Sequence, residues 1–217
     1  MGKTLTILHT TPVIVNLISS IAKEVLPPDV VVRNLVDDSL LNDTRKAGRL
    51  TKDVTRRLVA YVQHAETYGS DCVLLSCSSV SPAVDVARQV VDIPVLKIDE
   101  PMAEEAVRRG SRIAVIATIP TTLGPTEGLI KKARPDVTVD TMLCSDAFEA
   151  LAKGDAALHN QLLMRHIDAA ATSHDVVVLA QASMANILPE IPEWLLGKVL
   201  TSPRLGLLRT ASVLRSL

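Results

Sequence analysis

Aromatic side chains are scarce in this 217-residue chain, which has one tryptophan, two tyrosines and one phenylalanine. A platform that stacks nucleic-acid bases, or a pocket for a flat aromatic ligand, needs several such rings, so we expect neither. The net charge is −1, from 23 basic and 24 acidic residues, and no run of one sign points to a nucleic-acid partner. A small polar ligand or a carboxylate fits this composition better.

Patterns that bind metals or phosphates are also missing. The three cysteines, Cys72, Cys77 and Cys144, are odd in number and lack the spacing of a disulfide framework or a zinc site. Asp37 and Asp38 have no histidine or further carboxylate at the spacing of metal ligands. No Gly-x-Gly-x-x-Gly or Walker-type loop is present. We therefore expect no metal site and no phosphate-binding loop.

Long apolar runs are absent as well. None reaches the roughly 18 residues that a membrane-spanning helix requires. The sequence from Met1 leads directly into a strand-like segment and has no signal-peptide pattern. We expect a cytoplasmic protein with reduced thiols and no membrane partner.

What the chain does contain is a regular alternation of short β-branched runs and longer segments of helical period. This alternation predicts an α/β fold with a mostly parallel sheet that is covered on its faces. The predicted strands are residues 5–8, 30–35, 72–76, 94–98, 112–117, 137–142, 176–180 and 199–200. The predicted helices are residues 13–25, 54–65 and 122–132, with one long helical region over 147–173.

The second half of the chain repeats the first. Residues 5–12 align with 113–120, residues 71–80 align with 175–184, and 94–98 resemble 198–202 more loosely. Any two αβ units share Val-rich strands, so the informative agreement is in the residues after the strands, where packing does not dictate identity. We predict two similar doubly wound domains related by a pseudo-twofold axis, residues 1–98 with 201–217 and residues 99–200, with the active site in the cleft between them.

Polar side chains follow the predicted strands, at the edge of a parallel sheet where ligands gather. The turns there lead into helices, whose free N–H groups and positive dipole ends suit a carboxylate. The serines and threonines could equally act as helix caps. We predict these substrate-binding or catalytic candidates: His9, Thr10, Thr11, Cys77, Ser78, Ser79, Thr118, Thr121, Thr122, Gln181, Ala182 and Ser183.

Three short segments resemble the aspartate/glutamate/hydantoin racemase superfamily, which includes maleate isomerases and arylmalonate decarboxylases. They are the Cys-Ser-Ser turn at 77–79, Leu-Ala-Gln-Ala-Ser at 179–183 and Ile-Asp-Glu-Pro-Met at 98–102. The resemblance covers essentially the whole chain. It implies two similar α/β domains with the active site between them, no metal or organic cofactor, a small carboxylate substrate, and a homo-oligomer, either a dimer or larger.

Racemases of this superfamily carry two cysteines, one in each domain, that remove and return the substrate's α-proton on opposite faces. The resemblance places the first cysteine on Cys77 and the second on Gln181. Glutamine is neither an acid nor a base near neutral pH, so the symmetrical two-thiol mechanism is not available.

One thiol leaves several mechanisms open. The superfamily's default is an isomerase, a racemase or epimerase that transfers a proton next to a carboxylate. A lyase could use Cys77 to protonate an enediolate after decarboxylation, and another isomerase could add the thiol to a double bond. His9 could be the second catalytic group, because the first and third strands are neighbours. A His9–Cys77 pair would also suit a hydrolase, and a protein that binds a carboxylate without turnover is the further alternative.

Overall fold

The computed structural model describes residues 2–217, without the side chain of Ala152. The chain divides into two compact units, which we call unit 1 (Met1–Pro101 with Pro203–Leu217) and unit 2 (Met102–Ser202). Each unit contains a four-stranded parallel sheet. The predicted α/β class, with two similar parallel-sheet domains, is confirmed.

The strands of unit 1 are β1 (Thr4–His9), β2 (Val31–Val36), β3 (Cys72–Leu75) and β4 (Val95–Lys97), and those of unit 2 are β5 (Arg112–Ala117), β6 (Thr138–Leu143), β7 (Val176–Leu179) and β8 (Val199–Thr201). The helices are α1 (Val15–Val25), α2 (Ser39–Ala47), α3 (Lys52–Thr67), α4 (Ala83–Ala87), α5 (Glu100–Arg109), α6 (Pro120–Ala133), α7 (Ser145–Ala152), α8 (Ala156–Ala171), α9 (Glu193–Leu196) and α10 (Ser202–Ser216). Short 3-10 helices cover Pro12–Ile14, Ser78–Val80 and Ala182–Glu190.

The two sheets have the same strand order, β2-β1-β3-β4 in unit 1 and β6-β5-β7-β8 in unit 2. In each sheet the first strand lies between the second and the third, so the chain reverses its direction of travel across the sheet there. Leu8 pairs with Leu75, and Ile116 pairs with Leu179. The turns after β1 and β3, and after β5 and β7, are therefore neighbours, at the switch point where ligands bind in open α/β sheets.

Each sheet packs a buried strand against a long amphipathic helix. In unit 1, Leu58 and Val62 of α3 share a core cluster with Val73 and Leu75 of β3. In unit 2, α8 supplies Leu163 and Ile167 to the cluster that contains Val177 and Leu179 of β7. Burying one such side chain stabilises a fold by about 1.5–3 kcal/mol. The third strand of each unit is thus held firmly by packing.

The sequence repeat extends to individual hydrogen bonds. Asp71 accepts a hydrogen bond from the Thr4 backbone N–H at 2.7 Å and one from Lys3 Nζ at 3.1 Å. Its repeat partner Asp175 accepts hydrogen bonds from the backbone N–H groups of Ser111 and Arg112, both at 2.9 Å. In both carboxyl groups, these backbone donors lower the pKa. The same residue type thus anchors the start of the first strand in each unit.

The long helical region predicted over residues 147–173 is wrong as one element. It consists of α7 and α8, which are separated at Gly154, where φ is +82°. The Asp155 side chain then caps α8 by accepting a hydrogen bond from the Leu158 backbone N–H at 2.9 Å. A left-handed glycine followed by an acidic N-cap ends one helix and begins the next.

Five of the described helices, α2, α4, α5, α9 and α10, lie outside the predicted helical segments. Within residues 2–217, no helix is both long and apolar enough to cross a membrane.

Candidate active site

Cys77 follows β3 and precedes the 3-10 helix Ser78–Val80, with an extended backbone (φ −133°, ψ 118°). It is partly exposed and is a free thiol. Burial raises the pKa of Cys77, while the Thr10 hydroxyl and the backbone N–H groups of Val80 and Ser79 lower it. The turn thus surrounds the sulfur with groups that favour a thiolate whenever one forms.

The polar side chains near Cys77 differ in whether they have hydrogen-bond partners. Thr10 Oγ1 and Ser78 Oγ are both buried, and neither has a partner with hydrogen-bond geometry among the described residues. Ser79 is buried in the same turn. Thr11 caps the 3-10 helix Pro12–Ile14 by accepting from the Val13 backbone N–H at 3.4 Å. Thr11 therefore has a capping contact. The hydroxyl groups of Thr10, after β1, and Ser78, after β3, have no hydrogen-bond partner among the described residues.

The His9 imidazole is fully buried, and both of its ring nitrogens have partners. Nε2 lies 2.9 Å from Asn34 Oδ1, which only accepts, so the hydrogen-bond network assigns the ring proton to Nε2. Nδ1 lies 3.0 Å from the Ser76 hydroxyl. Burial lowers the pKa of His9, and the Asn34 contact opposes this. These contacts hold a neutral imidazole on Asn34 and Ser76 rather than on Cys77.

Gln181 occupies the position in unit 2 that Cys77 occupies in unit 1. Its Oε1 accepts hydrogen bonds from the Thr118 backbone N–H at 2.5 Å, the Thr118 hydroxyl at 3.1 Å and the Ile119 backbone N–H at 3.3 Å. Thr118 corresponds in the repeat to Thr10, which approaches Cys77 in unit 1. These contacts anchor the side-chain oxygen of Gln181, and its amide nitrogen is the hydrogen-bond donor of the side chain.

The remaining predicted residues of unit 2 lie on the turns that surround Gln181. Thr121 and Thr122 are in the first turn of α6, where Thr122 is buried. Ala182 is buried and Ser183 is partly exposed at the start of the 3-10 helix Ala182–Glu190. The structure thus brings the candidates together in two groups, one at the ends of β1 and β3 and the other at the ends of β5 and β7.

Asp99, which lies between β4 and α5, was not among the predicted site residues. It is fully buried, and neither carboxylate oxygen has a hydrogen-bond partner within residues 2–217. Burial raises the pKa of Asp99, and its charge in turn raises the pKa of Cys77. The sequence did contain a signal for it, because the rule that places sites at strand ends applies to β4 as well. The neighbouring acid Glu100 forms an ion pair with Arg88 at 2.8 Å instead.

A cluster in unit 2 contains residue types that bind metal ions. One possible ligand atom each from Cys144, Asp146 and His166 lies within 4.8 Å of the other two. The Cys144 thiol donates to Asp146 Oδ1 at 3.4 Å, and burial with this contact raises its pKa to about 11. A metal would have to displace that proton at the N-terminus of α7, where the helix dipole disfavours a cation. The thiol–carboxylate contact is a local one at the start of α7, and we propose no metal site there.

A family model described as Asp/Glu/hydantoin racemase matches residues 7–203. The chain belongs to this family. The resemblance inferred from the sequence is confirmed, and with it the assignment of the chain to a family of isomerases. A glutamate racemase from Picosynechococcus sp. is 37% identical over 95 residues, which are 41% of this chain and 34% of that protein. The match therefore spans about a third of the relative's length.

Solved structures of racemases share the fold of this family member. A glutamate racemase from Bacillus anthracis has a TM-score of 0.76 at 15% identity, covering 99% of this chain and 82% of that one. An aspartate racemase from Picrophilus torridus has a TM-score of 0.71 at 15% identity, with 97% and 95% covered. An allantoin racemase from Klebsiella pneumoniae has a TM-score of 0.69 at 13% identity, with 99% and 88% covered. At these identities the likeness concerns the fold alone.

Proposed function

We propose that this member of the racemase family is a cofactor-independent enzyme that acts on a small carboxylic or amino acid by proton transfer next to the carboxylate. In this proposal Cys77 is the one thiol that handles the proton. The observation that supports the proposal is the difference between the turn after β3 in unit 1 and the equivalent turn after β7 in unit 2. Unit 1 holds a partly exposed thiol beside backbone donors, and unit 2 holds an anchored glutamine in the same position.

Proton removal next to a carboxylate places negative charge on the carboxylate oxygens as an enediolate forms. Preorganised hydrogen-bond donors stabilise such charge most effectively. The unsatisfied Thr10 hydroxyl supports a role for this residue in holding the carboxylate, and Gln181 can donate through its amide nitrogen. The proposal also includes four further hydroxyl groups that we predict to contact the substrate. They belong to Ser79, Thr118, Thr122 and Ser183.

A lyase is the second candidate, and the state of the thiol favours it. Because burial raises the pKa of Cys77, its protonated form persists to higher pH than that of an exposed cysteine. A protonated thiol is suited to giving a proton to the enediolate that remains after a carboxylate leaves as CO2. The product would then receive its proton on one face only. The contacts of His9 with Asn34 and Ser76 give no comparable support to a His9–Cys77 hydrolase.

Proton exchange in D2O tests the proposal directly. The protein is incubated with amino, hydroxy and substituted malonic acids, and α-deuterium incorporation and CO2 release are followed by NMR and mass spectrometry. We expect at least one acid to exchange or decarboxylate, and Cys77→Ala to abolish this activity. Cys72→Ala is the matched control, because Cys72 is buried inside β3 and burial raises its pKa to about 12. Full activity in Cys77→Ala would refute the proposal.

Gln181→Cys is a second test of the one-thiol mechanism. The substitution restores the residue type that the racemase mechanism of the family uses at this position. We expect the wild-type protein to exchange the α-hydrogen with retention of configuration, and Gln181→Cys to produce both enantiomers. Chiral chromatography of the recovered acid distinguishes the two. Racemisation by the wild-type protein would show that another group performs the second proton transfer.

A further inference from the structure

Unit 1 contains a cavity of about 450 Å³ between α1 and β2, which we call the α1–β2 cavity. The side chains that line it from α1 and its C-terminal cap are spaced by three or four residues, so they share one face of the helix. They are Ser19, Ala22, Lys23 and Leu26. Val32 and Asn34 also line the cavity and lie on one face of β2, because they are two residues apart. A cavity of this size suits a small molecule.

The lining combines an apolar wall with groups that donate hydrogen bonds. Leu26, Pro27 and Val32 supply apolar surface. Lys23 brings a positive charge, and the Ser19 hydroxyl can donate a hydrogen bond. Within residues 2–217, no acidic side chain lines the cavity. One cation, neutral donors and an apolar wall match a monoanion with a short apolar chain, of which a small monocarboxylate is the simplest case.

Lys23 has a counterpart in unit 2 that is used differently. The repeat aligns residues 5–12 with 113–120, and continuing it along the helices pairs Lys23 of α1 with Lys131 of α6. Lys131 Nζ donates a hydrogen bond to the backbone carbonyl oxygen of Val137, just before β6. The Lys23 ammonium group makes no such contact and no ion pair within residues 2–217. Its charge is therefore not offset by the fold.

Asn34 connects the α1–β2 cavity to the turns around Cys77. Its Oδ1 accepts a hydrogen bond from His9 Nε2 at 2.9 Å, and His9 Nδ1 lies 3.0 Å from the Ser76 hydroxyl. Ser76 directly precedes Cys77, and His9 directly precedes Thr10. Both His9 and Ser76 are buried. A ligand that contacts Asn34 would thus be linked to the thiol turn by two hydrogen bonds through the core of unit 1.

We propose that the α1–β2 cavity binds a small monocarboxylate at a site separate from Cys77. The carboxylate contacts Lys23 and Ser19, and Asn34 donates to it through the amide nitrogen, because its oxygen accepts from His9. The apolar chain lies against the apolar wall. The inference goes beyond the proposed function and does not depend on it, because none of the residues proposed to contact the substrate lines this cavity.

Butyrate is the probe for this site, because it is a monocarboxylate with a short apolar chain. The full chain, isotope-labelled at its methyl groups, is titrated with butyrate, and the resonances of Leu26, Val30 and Val32 are followed by NMR. We expect saturating shifts with a Kd in the millimolar range, as befits a ligand of few atoms. Shifts that do not saturate, or that saturate only at methyl groups away from the cavity, would overturn the inference.

Lys23→Gln tests the role of the charge. We expect the Kd for butyrate to rise about fivefold, which corresponds to the loss of one exposed ion pair. Lys46→Gln is the matched control, because it removes the same charge from an exposed position on α2 that does not line the cavity. Thermal melting checks that both variants are folded. Equal affinity of the two variants for butyrate would refute the proposed contact.

Butyramide separates recognition of the carboxylate from recognition of the apolar chain, because it has the same length and no charge. We expect it to bind several times more weakly than butyrate. Equal binding would overturn the proposed class of ligand. A second copy of this chain is the other occupant that a groove beside an edge strand could take. Cavity resonances that shift with protein concentration in the absence of butyrate would identify that occupant and overturn the inference.

The ring proton of His9 reports whether the ligand reaches Asn34. His9 is completely buried, so its Nε2 proton should exchange slowly and give a resonance of its own. We expect this resonance to shift with the same butyrate dependence as the methyl group of Val32, and to need about fivefold more butyrate in Lys23→Gln. A His9 resonance that is unchanged at saturation would show that the ligand does not contact Asn34, contrary to the proposal.

Discussion

Individual buried polar residues determine how unit 1 responds to pH. His9 is neutral in the folded protein because burial lowers its pKa below the ordinary value of 6.5. The unfolded chain therefore takes up a proton at a higher pH than the folded chain does. Stability from His9 is present above about pH 6.5 and is lost as the pH falls toward the lower pKa of the folded state.

We expect His9→Gln to reduce this acid sensitivity. Glutamine can still bond with Asn34 and Ser76 but does not titrate, so the melting temperature of the variant should fall less steeply between about pH 7 and pH 5 than that of the wild type. Differential scanning calorimetry at closely spaced pH values measures the slope. Parallel slopes in the two proteins would contradict a neutral, buried His9.

For single residues, the sequence predicted where the site residues lie along the fold better than it predicted their hydrogen-bond partners. Cys77 and Gln181 could be placed at equivalent turns because the repeat and the strand ends are visible in the residue pattern. The partners of His9 could not, because Asn34 lies on the neighbouring strand β2 and side-chain direction depends on the folded register. Asp99 was missed because the sequence does not show that the carboxyl group is buried without donors.

Secondary-structure elements are joined by a repeated carboxylate anchor. Asp71 and Asp175 each precede the third strand of their unit and bind the backbone at the start of the first. Their pKa values are lowered mainly by these backbone hydrogen bonds. A lowered carboxyl pKa stabilises the fold above the ordinary range of aspartate, and that stability disappears as the pH falls through the folded pKa.

Asp71→Asn and Asp175→Asn should each lower the melting temperature at neutral pH, since an amide is a weaker acceptor of these hydrogen bonds than a carboxylate. The difference from the wild type should shrink below about pH 4, where the wild-type carboxyl groups also become neutral. Asp92→Asn, on an exposed loop, serves as the control. A difference that persists unchanged at low pH would mean that shape rather than charge matters at these positions.

Gly154 determines where α7 ends. Its φ of +82° is a conformation that residues with a Cβ adopt only with strain, although a Cβ added at this position would meet no other atom within 4 Å. Gly154→Ala should therefore destabilise the protein by about 1 kcal/mol. Gly128→Ala is the matched control: it lies inside α6, its Cβ would also meet nothing within 4 Å, and it should stabilise the helix by a similar amount.

Urea denaturation of both variants measures these opposite effects. Equal effects of the two substitutions would show that backbone conformation does not control the break between α7 and α8. The sequence pattern predicted helix on both sides of Gly154 but not the break itself. Apolar periodicity continues across it, and only the backbone angle separates the two helices.

Over the whole molecule, the two units share one pattern of exposure. The edge strands β2 and β6 are largely exposed, whereas β3 and β7 are completely buried. Strand order alone does not explain this exposure, because β4 and β8 at the opposite edges also pair with one neighbour each but are mostly buried. The α/β class and the repeat were predictable because they depend on periodicity over the full chain. The helices α2 and α10 were not, because their apolar residues follow no long, clear run.

Amide hydrogen exchange should show the same order in both units. We expect the amides of β2 and β6 to exchange faster than those of β3 and β7, because edge strands open without disturbing the core. Mass spectrometry of peptic peptides resolves these strands. Slow exchange in β2 or β6 that becomes slower at higher protein concentration would instead indicate that an assembly covers that edge, in line with the expected homo-oligomer.

Helix α10 has a consequence for the order in which the chain can fold during synthesis. Residues 203–217 return to unit 1, where Gly206 fits so closely on Ile98 that an added Cβ would lie 2.6 Å from it. Unit 2 is a continuous segment, and a ribosome has released all of it before α10 emerges. The thiol-bearing unit is therefore completed last, after its glutamine-bearing counterpart, and a chain cut short before residue 203 would leave Cys77 on an unfinished scaffold.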